Sequence, residues 1–279
     1  FLQQHDEPVG SASVYAQYRV YQLAKHHGIK VVLDGQGADE LLAGYTKYLH
    51  WYLQELMRSR PGSLRAAIKS LKNTHADFKW GWKNYMAAWF PSQAASQLEK
   101  RVIHRITRNN DIDPDFRAAN FDSELVQKPS VSRLNDILYF NTCQSGLQEL
   151  LRYADVNSMA HGCEVRLPFL SHKLVEYCFS LSALFKIRDG YTKWVLRKSM
   201  SRVLPQQIVW RTDKVGFEPP QKMWMENKRV QEMIRQARSH LVKDHILRPS
   251  VQDKKIQPQD SHAADNVDWW YLVAGMSPD

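Results

Sequence analysis

Apolar and polar positions along the chain alternate with helical spacing over most of its length, interrupted by one short extended run. Residues 13–27 (SVYAQYRVYQLAKHH) predict a helix, with Ser11 or Ser13 as N-cap and Gly28 just past its end. The run Ile29-Lys30-Val31-Val32-Leu33 is too apolar for an exposed strand and predicts a buried, parallel one. The turn Asp34-Gly35-Gln36-Gly37-Ala38-Asp39-Glu40 then opens into a second helix that should stop before Pro61. Aromatic side chains crowd the next segment (Phe78, Trp80, Trp82, Tyr85, Trp89, Phe90); irregular helical core is preferred there over an aromatic cofactor box.

Asn, Asp, Pro and Ser accumulate over 109–131 and predict a surface loop or hinge. Helical patterning resumes from Ser132. Leu174, Cys178, Leu181 and Phe185 recur as a buried helical stripe, and 192–204 and 221–241 read as further helices. The polar stretch 248–266 reads as mobile, with Trp269-Trp270-Tyr271-Leu272 docking back on the core. A single buried strand leaves its backbone N–H and C=O groups unpaired. Its partners are therefore either weakly patterned here or supplied by sequence outside this chain.

Composition narrows the class. With 279 residues, 43% hydrophobic and 24% charged, the chain can bury one substantial core or two modest ones. No apolar run approaches the roughly 20 residues that span a bilayer. The first residues, Phe1-Leu2-Gln3-Gln4-His5-Asp6-Glu7, lack the basic and apolar regions of a signal peptide and an initiator Met, and a piece of a longer chain is expected. Cys143, Cys163 and Cys178 have no metal-ligand spacing and read as reduced, buried thiols of a cytoplasmic protein. The net charge of +9 is spread over several segments without a nucleic-acid signature, so part of it is assigned to a polyphosphate ligand.

The chemistry concentrates in VVLDGQGADELLAGY, residues 31–45. A turn with Gly35 and Gly37 at alternate positions lets backbone N–H groups approach an anion, and the following helix adds its positive end. Asp39 and Glu40 at that helix start serve either as helix-stabilising carboxylates or as ligands for Mg²⁺ beside a phosphate cradle.

Three further segments follow in order: Leu151–Leu170 (LRYADVNSMAHGCEVRLPFL), Gly190–Arg197 (GYTKWVLR) and Trp210–Phe217 (WRTDKVGF). With the first, they closely resemble the synthetase domain of glutamine-dependent asparagine synthetases, from about Glu7 to about Pro220. The resemblance implies an α/β fold of the adenine-nucleotide α-hydrolase (PP-loop ATP pyrophosphatase) type, this portion being mainly helical with few parallel strands. It implies a ligase that uses ATP and Mg²⁺ to convert the aspartate side-chain carboxylate to an acyl-adenylate, releasing pyrophosphate. Ammonia, delivered from glutamine by an N-terminal glutaminase domain, then displaces AMP.

By the same resemblance Gly35, Gly37, Asp39, Glu40 and Arg197 would bind ATP and pyrophosphate, with Asp39 on Mg²⁺. Lys193 would clamp phosphate charge, and Glu164 with Arg166 would shape the substrate site as partly buried charges. The glutaminase domain and the Ser-Gly-Gly-x-Asp-Ser phosphate loop of that family do not occur in this sequence and are expected upstream of it, with the missing strands. Ser-Gly-Glu of the family is replaced by Asp34-Gly35-Gln36, so Asp34 takes over as candidate base beside an amide, Gln36, that cannot accept a proton. Val156 and Ser171 also depart from the pattern. A relative that adenylates another carboxylate, of β-lactam synthetase or lasso-peptide cyclase type, and a non-catalytic assembly domain stand as alternatives. The resemblance leaves room for a homodimer and implies neither nucleic acid nor membrane as partner.

Overall fold

The fold is taken from a computed structural model that describes residues 1–279 except 123–125, 127, 214, 215, 217, 264 and 277–279. In chain order its elements begin with α1 (Ala12–His26), β1 (Val31–Leu33), α2 (Ala38–Leu41) and α3 (Tyr48–Ser59). Then come α4 (Leu64–Thr74), α5 (Trp82–Trp89), α6 (Pro91–Thr107), α7 (Pro114–Asn120), α8 (Leu134–Tyr139) and α9 (Leu147–Met159). After these lie β2 (Glu164–Arg166), α10 (His172–Ser180), α11 (Ala183–Lys186), β3 (Ile187–Arg188) and β4 (Tyr191–Thr192). The last are α12 (Trp194–Met200), α13 (Gln206–Val209), α14 (Gln221–Glu226), α15 (Lys228–Lys243) and α16 (Val267–Ala274). The described residues are mostly helical with few strands.

Strand β1 is parallel, as its sequence predicts, and its partner is β2 in the register Val31↔Glu164, Val32↔Val165, Leu33↔Arg166. Its burial departs from the expectation. Alternation sends Val31 and Leu33 to one face, where they are 41% and 72% exposed, and no described element covers them. The partner strand was weakly signalled because Glu164 and Arg166 make its three residues look like loop. The antiparallel pair β3–β4 is shorter still.

The expected second helix divides into α2 and α3. Ala43 takes a left-handed backbone (φ 55°) and the chain turns between Leu42 and Lys47 before helix resumes. Likewise 221–241 divides at Asn227, whose side chain accepts from Arg229 N and caps α15. The stripe from Leu174 to Phe185 also breaks: α10 ends at Ser180, Leu181 is extended, and Phe185 faces solvent. Within 109–131, α7 begins after Asp113, whose carboxylate caps Asp115 N and Phe116 N.

One core gathers Tyr48, Leu49, Leu53, Leu71, Leu134, Leu138 and Ile187 around α3. A second joins the two ends of the described chain, with Val9, Ala12 and Val14 against Ile234, Ala237, Trp269 and Leu272. Docking of the Trp269–Leu272 segment is as expected. Within 248–266, Val251 and Ile256 are buried and Arg238 donates to Lys254 O. Fully buried Gln221 accepts from Ala12 N and donates to Gln259 O and Asn266 Oδ1, so one amide joins three segments. Arg238 also pairs with Asp268, both side chains being buried. Removing one partner of such a pair typically costs about 3–5 kcal/mol, because the other charge stays buried. Of the cysteines, Cys163 and Cys178 are buried and Cys143 is exposed, which corrects the expectation for the third.

Candidate active site

The turn after β1 divides the expected site residues into two groups. On the sheet side, Asp34 N donates to Arg166 O (3.0 Å), which fixes the start of the turn on β2. The Asp34 and Gln36 side chains then meet: Gln36 Nε2 donates to Asp34 Oδ2 at 3.0 Å. Gln36 Oε1 is buried and has no hydrogen-bond partner among the described residues. On β2, Glu164 and Arg166 pair with each other, Arg166 Nε donating to Glu164 Oε1 at 2.7 Å. Both lie mostly in solvent, not partly buried as expected, because the outer face of β2 is uncovered.

The other group lines a cleft of about 580 Å³ bordered by α4, β4, α12 and the segment after α13. Asp39, Gly44, Lys193 and Arg197 share its wall with Thr74 and His75. Lys193 Nζ lies 2.9 Å from Asp39 Oδ1, each side chain about one-quarter exposed. Three backbone features hold this contact. Lys193 adopts a left-handed backbone (φ 53°) at the start of α12, Lys193 N donates to Leu42 O, and Gly44 N donates to Asp39 O. A Cβ on Gly44 would fall 1.7 Å from Asp39 Oδ1 and 2.4 Å from Lys193 Cε, so the pair passes through space that only glycine leaves open.

The remaining candidates behave differently from one another. Gly37 (φ 87°) faces Leu170, whose Cδ2 would lie 2.3 Å from an added Cβ; here glycine serves packing as well as the turn. Gly35 has open space where its Cβ would be. Glu40, expected beside the phosphate cradle, is only 4% exposed and accepts from the Tyr45 hydroxyl at 2.7 Å, away from the cleft. Burial, reinforced by Glu40, holds that hydroxyl well above the usual tyrosine range. Helix α2, a single turn, brings little of the dipole that the sequence suggested.

Arg197 is in the cleft wall, and its guanidinium donates to Thr192 O, Val209 O and Arg211 O while lying over the Tyr191 ring. Burial lowers its affinity for the proton. Sequence reasoning missed Thr74 and His75, which carry no motif, and did not single out Phe169 within the segment Leu151–Leu170 or Gly44 within LLAGY. His75 Nε2 hydrogen-bonds Gly190 O at 3.1 Å, and burial lowers its pKa. From the Trp210–Phe217 segment, Arg211, Thr212 and Asp213 line the cleft, while Lys214, Val215 and Phe217 lie outside the described residues.

The chain matches the asparagine synthase family over residues 2–277. It belongs to that family. Within the asparagine synthase family, it is 24% identical to asparagine synthetase (glutamine-hydrolyzing) 1 of Bacillus subtilis strain 168, over 96% of this chain and 43% of the relative. It is 27% identical to a putative asparagine synthetase (glutamine-hydrolyzing) of Mycobacterium bovis, over 79% of this chain and 34% of the relative. A shorter match, 39% identical, covers 28% of this chain and 15% of the asparagine synthetase of Gallus gallus. The chain thus spans less than half the length of these relatives. No solved structure matches. No helix among the described residues is long and apolar enough to cross a membrane.

Proposed function

We propose that this chain is the synthetase part of a cytoplasmic, glutamine-dependent asparagine synthetase with an adenine-nucleotide α-hydrolase architecture. The aspartate side-chain carboxylate attacks the α-phosphorus of ATP, and pyrophosphate leaves. Ammonia, supplied from glutamine by a glutaminase domain of the whole protein, attacks the activated acyl carbon. The bond to AMP breaks, and a proton is lost from nitrogen. The observation that carries this reading is the Asp39–Lys193 pair in the 580 Å³ cleft, within a chain of the asparagine synthase family.

The donor set suits Mg²⁺ and a polyphosphate. A single carboxylate beside an ammonium matches a cation that takes one or two protein ligands and completes its shell with water and phosphate oxygens. Asp39 would hold Mg²⁺, which supplies Lewis-acid stabilisation of the departing pyrophosphate. Lys193 neutralises charge on the same leaving group, and a preorganised cation in a cleft acts where that charge develops. Arg197 shapes the pocket through its three carbonyl contacts.

Nearer the sheet, Gly35 and Gly37 bring backbone close to the nucleotide, and Glu164 with Arg166 borders the substrate. Asp34 receives the proton from the attacking amine, held in place by Gln36 Nε2. The unpartnered Gln36 Oε1 accepts a hydrogen bond from that amine. Product analysis of the intact protein with Mg-ATP, aspartate and glutamine tests the substrate assignment. Asparagine with AMP is the expected product pair. ATP consumption that ignores aspartate and depends on another carboxylate would overturn it.

A further inference from the structure

The aromatic segment that the sequence assigned to irregular core is in large part exposed. Phe78 and Trp80 pack inward, whereas Trp82 is 71% exposed and Met86, Trp89, Phe90 and Leu98 also face solvent. Several of these residues form one wall of a second cleft, of about 1110 Å³, which shares no lining residue with the first. Helices α5 and α6 supply that apolar wall through Trp82, Met86, Phe90, Ala94, Leu98 and Val102. Helix α3 supplies the opposite one, where His50, Trp51 and Gln54 follow at helical spacing.

Two features point to a ligand. Gln54 is 8% exposed and lines the cleft beside His50. The Nδ1 of His50 is buried without a hydrogen-bond partner among the described residues. Buried polar groups are nearly always satisfied, so an unmet imidazole nitrogen in a cleft wall marks a place for a ligand's polar group. The charge of the lining is one-sided: Lys47, Lys83, Arg101, Arg105 and Lys128 contribute cations, and no Asp or Glu does. Arg101 and Arg105 are one helical turn apart on α6, exposed, and make no ion pair among the described residues.

We propose that this cleft binds an amphiphilic carboxylate, a small molecule with an acyl chain, one hydrogen-bonding group and an anionic end. The chain lies along Met86, Phe90, Leu98 and Val102, the hydrogen-bonding group reaches His50, and the carboxylate rests on Arg101 and Arg105. Charge complementarity selects this occupant over a second copy of the chain, which with a net charge of +9 would bring like charge to the rim. The proposal is independent of the adenylation chemistry and of the residues assigned to it.

Calorimetric titration of the protein with N-lauroylglycine, below its micellar concentration, tests it. Saturable one-to-one binding is expected, at least about tenfold tighter than that of the uncharged N-lauroylethanolamine. The doubly exchanged protein Arg101→Glu/Arg105→Glu should lose about tenfold or more in affinity with an unchanged thermal melt, since both side chains are exposed. Ala94→Trp, which fills the cleft, provides a second variant that should abolish binding. Absence of binding, equal binding of the uncharged analogue, or indifference to the charge reversal overturns the proposal. So does binding of an acidic, Leu/Glu amphipathic peptide where N-lauroylglycine fails, which would give the cleft to a protein partner.

Discussion

Lys193 Nζ lies 2.9 Å from Asp39 Oδ1, and the two meet across the space left by the absent side chain of Gly44. Neither residue is helped by regular structure alone. Asp39 sits in a one-turn helix and Lys193 in a left-handed backbone conformation at the start of another. Such a conformation costs free energy for a lysine, and strain of this kind collects where function requires it.

Lys193→Met should lower pyrophosphate formation by the intact protein about 10²–10³-fold, the usual effect of removing one preorganised donor to a developing charge. Stability should change by less than about 1 kcal/mol, since a partly exposed pair contributes little. Pyrophosphate release and a thermal melt, measured on the same preparation, separate the two effects. A fall in stability that accounts for the lost activity would remove Lys193 from the phosphate site.

Gly44→Ala should displace the pair and destabilise the fold by about 1–3 kcal/mol, as overpacking does. Its effect on pyrophosphate formation should approach that of Lys193→Met. Gly35→Ala meets no protein atom within 4 Å and should leave the melt unchanged. A raised KM for Mg-ATP in Gly35→Ala then reports direct nucleotide contact. Identical behaviour of the two variants would contradict this division of labour between the glycines.

That division was not legible in the sequence. Gly-x-Gly drew attention to Gly35 and Gly37, while LLAGY read as uninterrupted helix, because only the approach of Asp39 to Lys193 reveals what Gly44 is for. Glu40 was equally opaque: beside Asp39 in sequence, it points inward to Tyr45 once the helix is reduced to one turn. The helix before the strand was legible in its local periodicity, and the strand and the docking of Trp269 in short apolar runs, although the strand's exposed face was not. Exposure of Trp82 and Phe90 was not, since an aromatic segment reads alike in a core and on a cleft wall.

Asp34→Asn should slow amide formation by about 10²–10⁴-fold and leave pyrophosphate exchange largely intact. An asparagine Oδ1 still accepts the bond that Gln36 Nε2 now donates to Asp34, so geometry is kept while the base is lost. Parallel assays of asparagine formation and of exchange between pyrophosphate and ATP read the two steps. If both fall together, Asp34 serves adenylation instead.

Lys186 gives a pH dependence of stability. Its side chain is fully buried, donates to Asn135 Oδ1 at 2.7 Å and lies over the Phe179 ring, and burial pulls its pKa down to about 8. Between about pH 8 and its ordinary value near 10.5, the unfolded chain keeps a proton that the folded one has shed, so stability rises with pH. Below about pH 8 both states are charged and the full cost of burial remains. The gain is at most about 3 kcal/mol. Buried Tyr21, Tyr52 and Tyr153, each pushed up to about 12, oppose it above about pH 10. Cys178, whose thiol burial raises above its ordinary value near 9, opposes it from about pH 9. Urea denaturation between about pH 7 and 9.5 should show a rising midpoint, flattened by Lys186→Met. A midpoint that falls over this range in the unaltered protein would contradict a buried, depressed lysine.

The central claim is that a carboxylate of aspartate is activated by adenylation in this chain's cleft. Isotope transfer tests it most directly. With aspartate carrying ¹⁸O in its side-chain carboxylate, the intact protein, Mg-ATP and glutamine should yield AMP that contains one ¹⁸O, alongside unlabelled pyrophosphate. Recovery of the label in inorganic phosphate, with ADP as the nucleotide product, would contradict the account.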